Sequence, residues 1–315
     1  MKEILRKLPQ EFLKKLKKIY PHHCQSIFDT FLNKKITSFR INYLKIDLGA
    51  LRKRLKEEKV SFKELNFPQG AFLLKSNLHH FQNTQIYQSG LIYIQNVSSM
   101  IVPLVLEPSN EDKILDLCAS PGAKTTQIVS LSPEAEVVAV EKNRIRYYKL
   151  LTNLKMQGAL SVKTFLLDGI WVRKKFPEYF DKILLDAPCS CEARFYVNNP
   201  KSFKYWKEKK VKEMMHKQKK LLSAAFYALK EAGILVYSTC TFSPEENEAV
   251  IDWFINKFKN KVELLPIEIP LKNVCEGLKK WENKRFSSSI SLTKRILPNE
   301  FLEGFFIAKI KRISV

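Results

Sequence analysis

The residues in this sequence whose types and spacing could do chemistry are Asp186, Cys189 and Cys240. Asp186 and Cys189 stand in D-A-P-C directly after the apolar run Ile183, Leu184 and Leu185, and Cys240 ends G-I-L-V-Y-S-T-C. Apolar runs bounded by charge read as buried parallel strands, and open α/β sheets bind ligands at the carboxyl ends of such strands. Both thiols and the carboxylate are therefore expected in one crevice. That set suits nucleophilic catalysis, in which a thiolate forms a transient bond to an electrophilic carbon. Taken alone, Cys240 reads as a small buried apolar residue finishing a strand, the usual state of a free cysteine. Beside Cys189, Asp186 and a cofactor edge, it reads as the nucleophile.

Such a crevice needs a sheet to build it. From Leu91 onward, strand-like runs at 113–120, 136–141, 162–168, 181–189 and 233–240 alternate with helical patterns at 124–132, 143–158, 207–231 and from 243. This alternation predicts a doubly wound, mostly parallel, Rossmann-like α/β sheet over residues 91–315. The runs 261–267 and 303–312 are expected to close it with an antiparallel edge. Residues 271–300 between them are basic and serine-rich, and read as an irregular surface excursion in which Cys275 is incidental. Residues 1–90 read as a small basic α+β unit. It starts with an amphipathic helix carrying Ile4, Leu5, Leu8, Phe12, Leu13, Leu16 and Ile19 on one face, and ends near Gly90. Arg40, Arg52, Lys53 and Arg54 are its candidates for phosphate contacts. His22, His23 and Cys24 lack zinc-site spacing, so no metal is expected.

A cofactor site is legible after the first long strand. The stretch A-S-P-G-A-K-T puts small residues before a helix that opens near Thr125, where unpaired N–H groups and positive potential meet a ligand. It matches neither the Walker loop nor the G-x-G-x-x-G fingerprint. Glu141, Asp168 and Asp186 close the following strands, with Asp116 just inside the first. A row of carboxylates suits ribose hydroxyls, an adenine edge and a sulfonium better than it suits a pyrophosphate, so S-adenosylmethionine is the expected cofactor. Asp168 also reads as a turn residue before Gly169.

The motifs I-Y-I-Q-N-V-S-S-M, I-L-D-L-C-A-S-P-G-A-K-T-T-Q-I, V-V-A-V-E-K-N-R-I-R, F-L-L-D-G, L-L-D-A-P-C-S-C-E-A-R-F, V-Y-S-T-C-T-F-S-P-E-E-N-E-A-V-I and G-F-F-I-A-K-I-K-R resemble those of the RsmB/RsmF (Fmu/NSUN) type RNA cytosine-C5 methyltransferases. The resemblance covers essentially all of 91–315. It implies a class I S-adenosylmethionine-dependent methyltransferase fold whose cofactor is bound by Cys118, Ala119, Ser120, Pro121, Gly122, Ala123 and Lys124 with Glu141, Asp168 and Asp186, supported by Arg146. It further implies that Cys240 is the nucleophile, that Cys189 assists a later step, and that residues 1–90 are an RNA-binding extension with an RRM-like piece. In that chemistry a Cys240 thiolate adds at C6 of cytosine, and Asp186, best as a protonated acid, hydrogen-bonds N3 or N4. The family commonly has glycine where Ala123, Cys191 and Ala193 stand. Those departures support a second reading, an inactive RNA-binding assembly factor.

Bulk composition agrees with a polyanionic partner. Fifty-four Lys and Arg against 32 Asp and Glu give a formal charge of +22, a field that recruits nucleic acid, and aromatic side chains supply stacking surfaces. The target base must leave any stack, so single-stranded or locally opened RNA is expected, ribosomal before transfer RNA. Six scattered cysteines read as reduced thiols, and no run of eighteen apolar residues exists, so a cytoplasmic monomer away from membranes is expected. The positive field is expected to lower the thiol pKa values.

Overall fold

The computed structural model describes Leu5 and residues 7–314. Ile4, expected on the first helix, lies outside the described residues. Leu5 is helical, Leu8 lies in a bend, and the main helix of the stripe, α1 (Gln10–Ile19), begins after Pro9. Pro9 occupies its N-cap; a proline ring tolerates a helix start but not a helix interior. α1 and α2 (Cys24–Leu32) bury their apolar faces against Phe195, Val197, Trp206 and Phe242. Phe12 meets Phe195 and Trp206 edge-on, with centroids 4.9 and 5.7 Å apart, and Tyr20 and Phe31 flank Phe242. The first segment thus belongs to the wall behind the two cysteines, a correction to the expectation that residues 1–90 pack together.

The small unit runs β1 (Ser38–Ile41), α3 (Leu48–Glu57), β2 (Phe62–Glu64), β3 (Ala71–Leu74), two short helices and β4 (Ile92–Ile94). The strands are antiparallel in the order β2-β3-β1-β4, a split βαβ arrangement of the RRM-like kind expected. β4 lies past Gly90 yet pairs with β1, so the sheet ends after Ile94. Its two faces are both covered. Phe39, Phe72, Phe81, Leu51 and Leu55 form one side. On the other, Arg40 is 4% exposed and donates to Gln95, Thr126 and the Ala123 carbonyl. Arg40 is therefore a tie between the small sheet and the helix that begins at Ala123, a correction to its expected phosphate contact. An RRM binds RNA on an open aromatic sheet face; here that face is docked. Arg52, Lys53 and Arg54 remain exposed on α3.

α4 (Val97–Leu106) leads into the large sheet, where β5 (Lys113–Asp116), β6 (Glu136–Glu141), β7 (Lys163–Leu166), β8 (Phe180–Asp186) and β9 (Leu229–Thr239) run parallel in the order β7-β6-β5-β8-β9. One face packs under α4, α5 (Ala123–Leu131) and α6 (Arg144–Gln157), the other under α7 (Glu208–Ala228) and α8 (Glu248–Lys257). Strand order reverses between β5 and β8, and that switch point is where doubly wound sheets open a ligand crevice.

β10 (Val262–Leu265) and β15 (Phe305–Arg312) are antiparallel as expected, with β15 lying against β9. Residues 271–300 are not irregular throughout. β11 (Val274–Glu276) and β14 (Lys294–Ile296) extend the sheet, and β12 (Lys280–Trp281) with β13 (Lys284–Arg285) forms a hairpin. The correction turns on Arg295, which reads as a surface cation but is 1% exposed because Glu248 neutralises it from α8 at 2.5 Å.

Candidate active site

β8 and β9 are parallel neighbours with Asp186 opposite Ser238, so the residues just beyond each end fall side by side. Cys189 Sγ lies 3.5 Å from Cys240 Sγ and 3.9 Å from Cys191 Sγ. Behind them stands a buried polar frame. Glu192, 1% exposed, accepts from Trp206 Nε1, Thr241 Oγ1, Phe242 N and Ser243 Oγ. Glu246 accepts from Ser190 N and Oγ and from Gln218 Nε2. These bonds stitch the loop after β8 to the turn after β9, and so fix how the sulfurs meet. Sequence reasoning missed Glu192 and Glu246. The signal available was the acidic S-P-E-E-N-E, which reads as a solvated helix start until its partners are seen.

The sulfurs share their charge. Hydrogen bonds from Cys189 and Cys240 hold the Cys191 thiol low, at about 3. Cys189 is pushed well above its ordinary value by its hydrogen bonds to Cys191 and Cys240 and by burial. Cys240, despite a hydrogen bond with Cys189 that lowers it, is pushed up to about 12 by Cys191 and by burial. The first proton thus leaves the cluster easily, with S–H groups and Arg194 facing the thiolate, and the second is opposed by the charge already there. The expected general lowering of the thiols is corrected: hydrogen bonds among the three sulfurs, with burial behind them, raise Cys189 and Cys240 and lower Cys191 alone.

Glu246 is pushed up to about 8 by burial and by the Glu192 charge. A carboxyl whose folded pKa is raised from 4.5 stabilises the fold most below the unfolded value, and that contribution is lost as pH rises through about 8. Glu246→Gln supplies the neutral form at all pH values, with an amide that can still serve Ser190 and Gln218. Its melting temperature should therefore gain on the native protein progressively between about pH 5 and 8. A pH-independent difference in thermal scans would contradict the assignment.

The loop after β5 follows the expected course. Gly122 (φ +104°) caps α5 without a side-chain bond, leaving the first N–H groups of the helix free of a side-chain cap. Ala123 has negative φ as the first helical residue, so its methyl costs no backbone strain. Cys118 is pushed up by burial, which fits its expected packing role, and Ala119 is buried with its N–H on the Val140 carbonyl. Arg146 donates to the Ser120 carbonyl at 2.6 Å and lies 3.5 Å from Glu141, while Asn153 holds the Pro121 carbonyl. Lys124 Nζ lies 2.6 Å from Asp186 Oδ2, and Ser238 Oγ donates to Oδ1. This ion pair presents Asp186 as an acceptor, a correction to the protonated donor expected. Asp168 caps the turn at Gly169 and pairs with Lys142, so its turn reading holds alongside its place in the cleft.

Cys118, Ser120, Pro121, Ala123, Lys124, Glu141, Arg146, Asp168 and Asp186 line one cleft of about 490 Å³ with the three cysteines, Arg194 and Lys217, whereas Ala119 and Gly122 do not reach its wall. The volume lies in the range of small-molecule and cofactor sites. Glu141, Asp168 and Asp186 offer acceptors, the loop offers close backbone approach, and the thiols stand at one end of the same cleft. The donor set therefore fits S-adenosylmethionine: Glu141 and Asp168 would hold ribose and adenine, and the 119–124 loop the amino-acid end. Among the described residues no helix is long and apolar enough to cross a membrane.

Fold and cleft together define a class I, S-adenosylmethionine-dependent methyltransferase. Residues 103–311 match the family described as 16S rRNA methyltransferase RsmB/F, and residues 8–97 match the N-terminal domain of 16S rRNA methyltransferase RsmF. The chain belongs to the RsmB/F family of RNA methyltransferases. It is 38% identical to a tRNA (cytosine(49)-C(5))-methyltransferase of Pyrococcus abyssi, over 87% of this chain and 88% of that one. It is 33% identical to ribosomal RNA small subunit methyltransferase F of Vibrio campbellii, over 98% of this chain but 64% of that one. A crystal structure of a methyltransferase homologue from Pyrococcus horikoshii superposes with TM-score 0.84 at 30% identity, covering 99% of each chain.

Proposed function

We propose that this protein methylates C5 of a cytosine in RNA through a covalent adduct between Cys240 and C6. The observation that carries the reading is the 3.5 Å approach of Cys189 to Cys240 in one cleft with the carboxylates and the loop after β5. Aromatic delocalisation makes C5 a poor nucleophile. Addition of the Cys240 thiolate at C6 removes it and leaves C5 an enamine carbon. The cofactor, when bound, supplies an electrophilic methyl group on a sulfonium. Asp186, held by Lys124 and Ser238, orients the base by accepting from its exocyclic amine. The C5 proton is then lost and Cys240 expelled, with Cys189 assisting the release. Lys217 and Arg194 line the cleft and would meet phosphate charge.

Asp186→Asn keeps the shape but weakens the acceptor and the Lys124 pair. It should lower kcat by roughly 10²–10³-fold, measured as labelled methyl transfer at saturating RNA; a loss under tenfold would remove Asp186 from the reaction. Ribosomal RNA remains the first substrate reading. Transfer RNA is the second, favoured because the tRNA-modifying relative of P. abyssi is 38% identical to this chain against 33% for the V. campbellii relative. Bisulfite sequencing of total RNA from cells with and without the protein decides between them. No cytosine changing, together with no binding of S-adenosylmethionine by calorimetry, would leave an inactive assembly factor.

A further inference from the structure

Cys189 and Cys240 have places in the proposed reaction; Cys191 has none. Its backbone is left-handed, φ +57°, a conformation that favours glycine and costs other residues free energy. The strain turns a third sulfur inward. All three Sγ atoms lie within 4.8 Å of one another, and the two resolved separations are 3.5 and 3.9 Å. Three thiolates around one zinc ion at about 2.3 Å are separated by about 3.8 to 4.0 Å, for tetrahedral or trigonal geometry. The cluster is thus already near the spacing that such an ion imposes. None of the three is in a disulfide, and all three line the open cleft. Arg194 lines it beside them and would offset the single negative charge left when three thiolates bind a divalent ion.

We propose that Cys189, Cys191 and Cys240 form a site for a thiophilic d¹⁰ cation such as Zn²⁺ or Cd²⁺, with the fourth position open to the cleft. Binding places three thiolates on one M²⁺, releases to solvent the S–H protons the cluster still carries, and changes no oxidation state. Soft sulfur ligands select such ions over Mg²⁺ or Ca²⁺. The role rests on the reading of Cys240 as nucleophile: an ion held there withdraws that sulfur from cytosine, so occupancy is reversible inhibition. Cys191 is what makes the site, because two thiolates alone leave the ion half ligated.

The test titrates Cd²⁺ into the reduced full-length protein and follows the ultraviolet thiolate-to-cadmium charge-transfer band. The expected result is saturation at one ion per chain. Cys191→Gly, which also relieves the left-handed strain, and Cys191→Ser should each weaken binding by about 100-fold. A Cys24→Ser, Cys275→Ser double variant should bind as the native protein does. The ratio of methyl transfer with and without one equivalent of Cd²⁺ should fall towards zero for the native protein and stay near one for Cys191→Gly. No saturable band, native affinity in both Cys191 variants, or loss of free thiols to a disulfide with no bound cadmium would each overturn the site. A normal band lost in Cys240→Ser, with methyl transfer intact in that variant, would keep the site and sink the nucleophile instead.

Discussion

Cys240→Ser is expected to lower methyl transfer to cytosine by about 10⁴-fold or more and to leave no RNA covalently attached. Cys189→Ser should instead accumulate a stable protein–RNA adduct. The asymmetry follows from the two strand ends. Cys240 is at the end of β9, only 8% exposed, and its carbonyl accepts from Ala193 N, so its sulfur is held in one place at the base of the cleft. Cys189 is on the more accessible loop after β8, where it can meet an adduct already formed and assist its breakdown. Serine keeps the size but has a far weaker nucleophile. Denaturing gel shifts of each variant with labelled RNA and S-adenosylmethionine check the pair. Equal activity in both would remove the division of labour.

The largest effect on stability is expected from Glu248→Ala. Glu248 is fully buried, and its carboxylate takes Arg295 Nε at 2.6 Å and Nη2 at 2.5 Å. Arg295 Nη1 also donates to Tyr20 Oη and to the Phe242 carbonyl, two residues beyond Cys240. One guanidinium thus joins α8, β14, the segment after α1 and the turn that holds the nucleophile. Removing Glu248 leaves a buried, uncompensated cation, which costs about 3–5 kcal/mol. Urea unfolding should show the loss, and the double replacement Glu248→Leu with Arg295→Met should recover most of it. A loss below about 1 kcal/mol would mean that the pair is effectively solvated.

What could be read from the chain beforehand divides along physical lines. β5, β6, β8 and β9 are buried on both faces, so their apolar runs announce themselves, and the residues at their ends inherit a place in the crevice. That is why Asp186, Cys189, Cys240 and the 118–124 loop were legible together. Pairing across the chain was not. Arg40 and Arg295 read as surface cations because their partners, Thr126 and Glu248, are 86 and 47 residues away. The apolar stripe of α1 showed that one face is buried without showing against what; the answer, Phe195 and Trp206, depends on the loop after β8. Cys191 looked only like an odd residue. Its left-handed backbone is a conformation that favours glycine, and its sulfur lies 3.9 Å from that of Cys189.

The central claim is that the Cys240 sulfur bonds transiently to the pyrimidine. Peptide mapping of the RNA adduct trapped on Cys189→Ser tests it most directly, because trypsin places residue 240 in the peptide 231–257 and residues 189 and 191 in the peptide 183–194. The account predicts the nucleotide mass on 231–257, at Cys240. A nucleotide on 183–194, or no adduct in a variant that still binds RNA and S-adenosylmethionine, would contradict it.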